Sequence, residues 1–412
     1  MVLDGSREGD PTICFEVHMH RRLFLLLVLV AIGACTAETV ETTTIPTTTT
    51  IPTTTTTAGP TTTTIPPFTI ENAPPELVAV VEGFYEFATG AGTEPPPAPE
   101  PVLASIKPAQ VETPRTGVSS VGTFQGQGVA TVEMDGDLFL AVNDGPGWRI
   151  VGGNWPNLSL PAYYGPTPRL VAVVGSDARP GEDVGTSRAD SIHFVGLDGA
   201  GKGGIVGVPR DAWVPIAGGG RSKINAALNL GGPEVMMQTF RDLTGLPLEG
   251  YVLTGFVGFQ EMLGTVLGGI DLVVPFAIYD NASGAAFEPG VQYVNGPEAL
   301  AFSRARKAFA NGDFTRSANQ GLVLIDAAKN LRTKGYGAIP RLLEMSEPFM
   351  LTNLSPEQLL TFAALTIGTD LDTIPNMVTP GSAGWAGNAS VVYLSSGVGA
   401  LWADLADGRI GS

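Results

Sequence analysis

The chain has 412 residues, of which 23 are Lys or Arg and 40 are Asp or Glu, giving a formal net charge of −17. This acidic balance argues against nucleic-acid binding, which needs a basic patch or stripe. With two Cys and three His, the sequence contains no zinc-type Cys/His cluster, and it shows neither a Walker A motif nor a Rossmann glycine pattern.

The first predicted segment is an export signal at residues 1–35. Within it, HRRLFLLLVLVAIGACT (20–36) places two arginines before an apolar stretch shorter than the ~20 residues of a membrane-spanning helix. Residues 32–35 (IGAC) resemble a bacterial lipobox, in which Cys35 is lipidated and becomes the mature N-terminus. An uncleaved short anchor is the alternative. Acidic residues ahead of the signal make Met19 a second candidate for the true start.

Two regions of different composition follow the signal. Residues 36–67 are rich in Thr and Pro, with TTTTIP at 47–52 and again at 61–66, which predicts an extended, disordered tether. Residues 75–160 begin with an amphipathic helix pattern and continue with three alternating runs joined by Asp-Gly turns. We therefore expect a small α+β accessory domain at 75–160, without recognisable catalytic residues.

The third region, residues 166–412, has strand-like runs that alternate with helical patterns, so we expect an α/β fold. The runs are RLVAVVGSDAR (169–179), SRADSIHFVGLD (187–198) and IVGVPRDAWVPI (205–216), followed by SKINAALNLGG (222–232), a helix-like segment that Lys223 opens and Gly231-Gly232 ends. Polar residues lie at the boundaries of these runs, and in α/β folds ligands bind at the loops that follow the strand ends. His193 lies inside a strand-like run and is expected to pack in the core.

A basic block follows at residues 304–320, RARKAFANGDFTRSANQ. Several guanidinium groups together can hold and neutralise a pyrophosphate. A solvated basic helix face is the alternative for an isolated run of this kind. A helix through 314–331 would place Arg316 and Gln320 on one face, because they are four residues apart.

Six of these elements together resemble the LytR–CpsA–Psr (LCP) family of bacterial envelope phosphotransferases. They are GSDAR, SRADSI, VPRDAWV, KINAA, GGIDLVVP (268–275) and the RAR…GDFTR…NQ block, in the family's order across about residues 168–332. The resemblance implies an α/β/α core with a central mixed sheet and an apolar pocket for a polyprenyl chain. It also implies transfer of a glycopolymer from an undecaprenyl-pyrophosphate carrier to peptidoglycan through a phosphodiester bond.

The resemblance assigns a role to each matched residue. Asp177 and Asp190 match the acidic pair that holds a divalent cation, Mg²⁺ or Mn²⁺. The resemblance assigns catalysis to Arg210 and Asp177. Asp313 is expected to orient an arginine. The residues expected to bind the substrate pyrophosphate are Arg188, Lys223, Arg304, Arg306, Arg316 and Gln320. One departure is Asn319, where the family often has Arg.

Three other functions remain open at this point. A polyprenyl-pyrophosphate pyrophosphatase would use the same chemistry with water as acceptor, and a non-catalytic polyprenyl-phosphate binding protein would need no metal. A transcriptional attenuator is disfavoured by the export signal. The expected partners are the lipid-linked glycopolymer, peptidoglycan and the membrane, at the outer face of the bacterial cytoplasmic membrane, with no nucleic acid. The polymer and the general base are not identified by the sequence.

Overall fold

The computed structural model describes residues 67–411 of the chain. The predicted signal peptide with Cys35, the alternative start at Met19, and all but the last residue of the predicted tether at 36–67 lie outside these described residues. Among the helices that are described, none combines the length and the hydropathy needed to cross a membrane.

The N-terminal part of the described chain is a six-stranded sheet with strand order β1-β2-β3-β4-β5-β6 and two helices. The strands are β1 (Thr69–Glu71), β2 (Thr116–Phe124), β3 (Gln127–Met134), β4 (Asp137–Asn143), β5 (Trp148–Trp155) and β6 (Leu160–Tyr163). The helices are α1 (Pro75–Thr89) and α2 (Glu100–Ser105). The helix and the three strands predicted from the sequence pattern are confirmed.

Local chemistry explains both kinds of element in this sheet. The β3–β4 turn is Asp135-Gly136 with φ values of 47° and 98°, the left-handed backbone that an Asp-Gly hairpin turn adopts readily. Helix α1 buries its apolar stripe on the sheet, where the Phe84 ring stacks on Trp155 at 5.2 Å and meets Phe139 edge-on at 5.3 Å. These aromatic contacts fix the helix against β4 and β5.

The rest of the described chain mixes strands and helices. Its longer strands and short hairpin strands are β7 (Arg169–Ser176), β8 (Ala189–Leu197), β9 (Gly203–Gly207), β10 (Trp213–Pro215), β11 (Arg221–Lys223), β12 (Gly250–Thr254), β13 (Ile270–Val274), β14 (Ile278–Asp280), β15 (Ala285–Phe287), β16 (Gly290–Val294), β17 (Leu351–Thr352), β18 (Asn376–Val378), β19 (Gly381–Ala386) and β20 (Ala389–Leu394). Its helices are α3 (Ala226–Thr244), α4 (Phe256–Glu261), α5 (Gly296–Arg304), α6 (Gly312–Lys334), α7 (Ile339–Ser346), α8 (Pro356–Gly368) and α9 (Val398–Leu405).

The central sheet has the order β17-β12-β7-β8-β9-β18 and is mixed, because β7 and β12 are parallel whereas β7 and β8 are antiparallel. One face packs on α3 and α9 through a core that includes Phe194, Phe240 and Trp402. The other face packs on α6, and the approach at Gly207 is so close that a Cβ there would overlap the Ser317 hydroxyl. Helices therefore cover both faces, and the predicted α/β/α fold is confirmed.

Two predicted details differ in the structure. Lys223 ends strand β11, which pairs with β10, rather than opening a helix. Gly231-Gly232 interrupts α3 with non-helical backbone, Gly232 having φ 70°, but the helix resumes at Pro233 and continues to Thr244. Proline suits the first turn of the resumed helix, where its missing N–H leaves no hydrogen bond unmade.

The N-terminal sheet and the central sheet are linked by one apolar core. Phe124 and Leu140 of the N-terminal sheet belong to the same buried cluster as Leu360 of α8 and Val171 of β7. These contacts span the position between residues 160 and 166 where the sequence places a domain boundary. That boundary itself stays a prediction.

Candidate functional site

A cavity of about 340 Å³ opens beside the C-terminal ends of β7 and β12. These parallel strands end at Ser176 and Thr254, so the loops that follow them leave the same edge of the sheet. Seven of the residues selected from the sequence line the cavity, namely Asp177, Asp190, Arg210, Arg304, Arg306, Arg316 and Gln320. Residues up to 143 positions apart, from Asp177 to Gln320, are thus brought to one site.

The acidic pair lies on β8 and on the loop after β7. The β7–β8 register shifts at this point: Gly175 pairs with Ser191 and Ser176 pairs with Ala189, so Asp190 is an extra residue in a β-bulge. A bulge re-aims the side chain that it carries, and Asp190 accordingly lines the cavity. Asp177 is held by its neighbouring loop, since its Oδ1 accepts the Arg188 backbone N–H at 2.9 Å.

The two oxygens of Asp190 differ in their surroundings. Oδ2 accepts a charge-assisted hydrogen bond from Arg210 Nη1, whereas Oδ1 is buried with no hydrogen-bond partner in the described part of the chain. Burial raises the pKa of this carboxyl, and the nearby Arg210 charge opposes that rise. An orphaned carboxylate oxygen beside Asp177 is a suitable ligand for a hard divalent cation that completes its shell with phosphate oxygens.

Asp313 lies at the centre of the arginine cluster. Its Oδ1 is 2.6 Å from Arg316 Nη2 and 4.0 Å from the Nε atoms of both Arg210 and Arg306. Arg316 is 7% exposed, and this burial lowers the pKa of its guanidinium. A single carboxylate therefore compensates and positions three cations that converge on the cavity.

Helix α6 sets the positions of two predicted ligands. It runs over Gly312–Lys334, which confirms the predicted helix, and its Arg316 and Gln320 both line the cavity. Gln320 Nε2 donates to the Ser303 backbone carbonyl at 3.1 Å. This bond fixes the amide so that its oxygen remains available to accept a hydrogen bond.

Arg304 is the last residue of α5, and the loop that follows carries Arg306 and Lys307. Arg304 lies over the Phe256 ring, 4.9 Å from its centroid, a cation–π contact that holds the guanidinium at the cavity edge. Asp280 Oδ2 accepts the backbone N–H groups of Arg306 and Lys307, both at 2.7 Å. These hydrogen bonds lower the pKa of the Asp280 carboxyl, and the one from the Arg306 N–H has the largest effect.

Two residues that line the cavity are not among the site residues predicted from the sequence. Asp280 lies in an ordinary turn sequence, and its partners are 26 and 27 residues away, so no local pattern marks it. Lys307 belongs to no motif of the family, yet it lines the cavity beside Arg306. The basic block itself was the signal that could have included Lys307.

The structure places two predicted ligands outside the cavity lining. The Arg188 side chain is exposed, and this residue contributes its backbone N–H and carbonyl to the Asp177 loop. Lys223 Nζ lies 2.9 Å from Asp211 Oδ1 in a partly buried ion pair. Neither residue is among those that line the cavity.

His193 is fully buried, as its strand position predicts, and its pKa falls to about 4 because burial disfavours the imidazolium. Its Nε2 is 2.9 Å from the Ser317 carbonyl, which can only accept, so Nε2 carries the proton. Nδ1 then accepts from the Ser191 hydroxyl at 3.2 Å. This histidine ties α6 to the sheet and does not reach the cavity.

One part of the lining is apolar, and it contacts the charged part where Arg304 lies over Phe256. The apolar part is formed by Val173, Phe256, Phe259, Leu300 and Leu324. Two of these residues come from the apolar segment 251–276, whereas Leu263, Ile270 and Leu272 of the same segment are buried in a separate core cluster. The cavity thus joins a cationic side, suited to phosphate, to an apolar side, suited to hydrocarbon.

Comparison with known proteins identifies this arrangement. The model of the LytR_cpsA_psr family matches residues 164–405. The chain belongs to this family. The predicted resemblance is confirmed, and the cavity lies within the matched region.

Several LytR_cpsA_psr proteins resemble the chain over part of its length. The Corynebacterium glutamicum protein named "Probable cell wall biosynthesis protein LcpB" is 33% identical over 36% of the chain and 38% of its own length. A Bacillus subtilis polyisoprenyl-teichoic acid–peptidoglycan teichoic acid transferase, TagV, is 37% identical over 33% of the chain and 37% of its own length. A Bacillus anthracis transferase named in the same way, TagU, is 31% identical over 47% of the chain and 62% of its own length. The matches therefore cover less than two thirds of each relative.

Solved structures show the same fold. The crystal structure of B. subtilis TagV aligns with a TM-score of 0.50 at 27% identity and covers 58% of the chain and 98% of that structure. A Streptococcus agalactiae protein aligns with a TM-score of 0.52 at 22% identity, over 60% of the chain and 90% of that protein. The central mixed sheet with its covering helices is thus the fold of this family.

Proposed function

We propose that this protein transfers a glycopolymer from an undecaprenyl-pyrophosphate carrier to peptidoglycan and leaves a phosphodiester bond. The observation that carries the proposal is one cavity lined both by Arg210, Arg304, Arg306 and Arg316 and by an apolar wall. A lipid-linked pyrophosphate has the same two halves. The names of TagV and TagU, polyisoprenyl-teichoic acid–peptidoglycan transferases, support the same donor and acceptor classes.

The volume of the cavity defines which part of the donor it holds. About 340 Å³ is near the lower end of the ~300–1,000 Å³ typical of ligand pockets. We assign the pyrophosphate to the arginine side and the first part of the lipid to Phe256, Phe259 and Leu324. The remainder of the lipid tail extends beyond the cavity.

In the proposed reaction, a hydroxyl oxygen of the acceptor glycan attacks the phosphorus next to the sugar of the donor. A new P–O bond forms to the acceptor, the P–O bond to the polyprenyl phosphate breaks, and the hydroxyl proton passes to solvent water. Negative charge increases on the leaving phosphate, where Arg304, Arg306 and Arg316 converge. Preorganised cations that meet charge as it develops lower the barrier most.

The pair Asp177 and Asp190 would hold Mg²⁺ or Mn²⁺, since both line the cavity and Asp190 Oδ1 has no other partner among the described residues. Such a cation supplies charge stabilisation for phosphoryl oxygens. Within residues 67–411 no group of three or more His, Cys, Asp or Glu could hold a metal, so the remaining ligands would be phosphate oxygens and water. Asp177→Ala should abolish metal-dependent transfer, and added Mg²⁺ should not restore it.

We further propose that lipidated Cys35 anchors the protein at the outer face of the cytoplasmic membrane, with residues 36–67 as tether. The lipobox-like residues 32–35 support this anchor. Intact-mass analysis of membrane-extracted protein should show diacylglycerol on Cys35. A mature chain that retains Arg21-Arg22 would exclude the proposed processing.

A test of the proposed transfer uses purified protein, a polyprenyl-pyrophosphate-linked glycopolymer and peptidoglycan glycan strands. Mass spectrometry should detect glycopolymer joined to glycan through one phosphate, together with polyprenyl phosphate. Cleaved donor without a glycan adduct would identify a pyrophosphatase instead. Bound but uncleaved donor, with or without metal, would identify a lipid-binding protein. Lipid that co-purifies with the protein would identify the natural carrier.

A further inference from the structure

A second cavity, of about 950 Å³, adjoins the first. Arg306 and Lys307 line both cavities, and Asp313, which positions the arginine cluster, lines the second. The hairpin β19–β20 forms another wall. A ligand in this second cavity would therefore reach the cations of the donor site from a separate entrance.

The lining of the second cavity mixes polar and apolar side chains, and the apolar ones include Phe309, Phe314 and Val391. Asn311, Ser382 and Ser390 contribute polar side chains, and Gly381 and Ala383 leave space. Its two carboxylates are compensated within the protein, because Asp211 pairs with Lys223 and Asp313 pairs with Arg316. Such a mixed surface suits a sugar, which presents polar hydroxyl groups and an apolar ring face.

Two buried groups in this lining have unused hydrogen-bonding capacity. Thr379 is 0% exposed, and its hydroxyl has no hydrogen-bond partner among the described residues. Asp313 is 9% exposed, and its Oδ2 likewise has none within residues 67–411. Buried polar groups are normally satisfied, so unmet groups in a cavity indicate a missing ligand or solvent partner. A sugar hydroxyl can both donate and accept, which suits both groups.

An exposed tryptophan lies on the same hairpin. In the β19–β20 register, Trp385 pairs with Ser390, and Ala383 pairs with Val392. Trp385 is outside the lining, but because side chains alternate it shares its hairpin face with Ala383, Ser390 and Val392, which line the cavity together with Ser382 and Val391 of the other face. The Trp385 side chain is 71% exposed. An indole that is exposed to solvent on a hairpin offers a flat surface on which a sugar ring can stack.

We propose that the second cavity binds the glycan strand that accepts the polymer, with one sugar ring stacked on Trp385. This inference rests on the proposed function and assigns its acceptor side to named residues. The acceptor hydroxyl would approach the donor phosphorus past Arg306 and Lys307, which line both cavities. Donor and acceptor then occupy separate cavities and can bind independently.

The test compares Trp385→Ala with Tyr293→Ala, a matched control that removes a 66%-exposed aromatic from the separate hairpin β13–β16. Trp385→Ala should raise the acceptor KM about tenfold, a loss typical of an aromatic stacking contact. Donor affinity should stay unchanged, and Tyr293→Ala should match the unmodified protein in both measurements. An unchanged acceptor KM, or a weakened donor affinity, in Trp385→Ala would overturn the assignment.

A binding measurement separates this inference from the proposed reaction. Titration calorimetry with soluble peptidoglycan glycan fragments needs no donor, and Ala383→Trp provides a second variant that fills the cavity. Weaker glycan binding in both variants supports the inference even if no transfer occurs, in which case only the proposed reaction fails. Transfer activity with glycan binding that is unaffected by both substitutions would refute the inference and leave the reaction intact.

Discussion

Asp313 Oδ1 lies 2.6 Å from Arg316 Nη2, one turn along the same helix, and both side chains are less than a tenth exposed. The same oxygen is 4.0 Å from the Nε atoms of Arg210 and Arg306. The carboxylate thus allows cations from three segments of the chain to lie side by side, where their mutual repulsion would otherwise separate them.

Asp313→Asn keeps the size of this side chain but removes its charge. We expect the arginines to separate and transfer to fall about 10- to 100-fold, because charge-assisted contacts to phosphate are lost. The measurement is kcat/KM for the lipid-linked donor, with folding checked by circular dichroism. Asp372→Asn, which removes an exposed carboxylate paired with Arg332 and Lys329, is the control and should retain activity. Equal activity of the two variants would show that Asp313 does not position the cluster.

Arg304 should contribute directly to donor binding and cleavage. Arg304→Ala removes contacts to phosphate worth about 1.5–3 kcal/mol, which corresponds to a roughly 10- to 150-fold loss of transfer. Arg304→Lys keeps the charge but loses the planar fork and should recover only part of that loss. Arg341→Ala is the matched control, since Arg341 is an exposed arginine paired with Glu344 on α7. A donor titration in which Arg304→Ala behaves like Arg341→Ala would contradict this role.

His193 should make the protein less stable in mild acid. Its pKa is about 4 in the folded protein, lowered by burial from an ordinary value of 6.5. As the pH falls below 6.5, the unfolded chain binds a proton that the folded protein does not, so stability declines until the folded pKa is reached. One such group lowers the free energy of unfolding by about 2 kcal/mol between pH 7 and pH 5.

Urea unfolding at the two pH values measures this effect, and His193→Gln is the comparison because its amide can still donate to the Ser317 carbonyl. The variant should show a smaller stability difference between pH 7 and pH 5 than the unmodified protein. If both proteins showed the same pH dependence of stability, titratable groups other than His193 would be its cause.

A buried ion pair should stabilise the start of the central sheet. Arg169 is 2% exposed and binds Glu249 through two hydrogen bonds of 2.6 and 2.7 Å, and its Nη1 donates to the Tyr164 carbonyl. Arg169→Ala leaves Glu249 without this partner, and we expect a loss of about 3 kcal/mol in the free energy of unfolding. Arg149→Ala breaks surface pairs with Asp144 and Glu357 and should cost less than about 1 kcal/mol. Similar denaturant midpoints for the two variants would contradict this difference.

The sequence was sufficient where the evidence is local or repeated. The spacing of Arg316 and Gln320 predicted their shared helix, and alternating runs predicted β3, β4 and β5. It was insufficient where contacts join distant residues. The hydrogen bonds from Arg306 and Lys307 to Asp280, and the β-bulge that turns Asp190 into the cavity, depend on tertiary pairing. The outward position of the Arg188 side chain depends on the same loop geometry.

The central claim is that one phosphate passes from the lipid carrier to the glycan. The most direct measurement uses a donor labelled with radioactive phosphorus at the position next to the sugar, with peptidoglycan glycan strands as acceptor. We predict that the label appears in glycan-linked polymer, that the released polyprenyl phosphate is unlabelled, and that Arg304→Ala slows the formation of both products. Label recovered as free glycopolymer phosphate in the presence of acceptor, or retained in uncleaved donor, would contradict this claim.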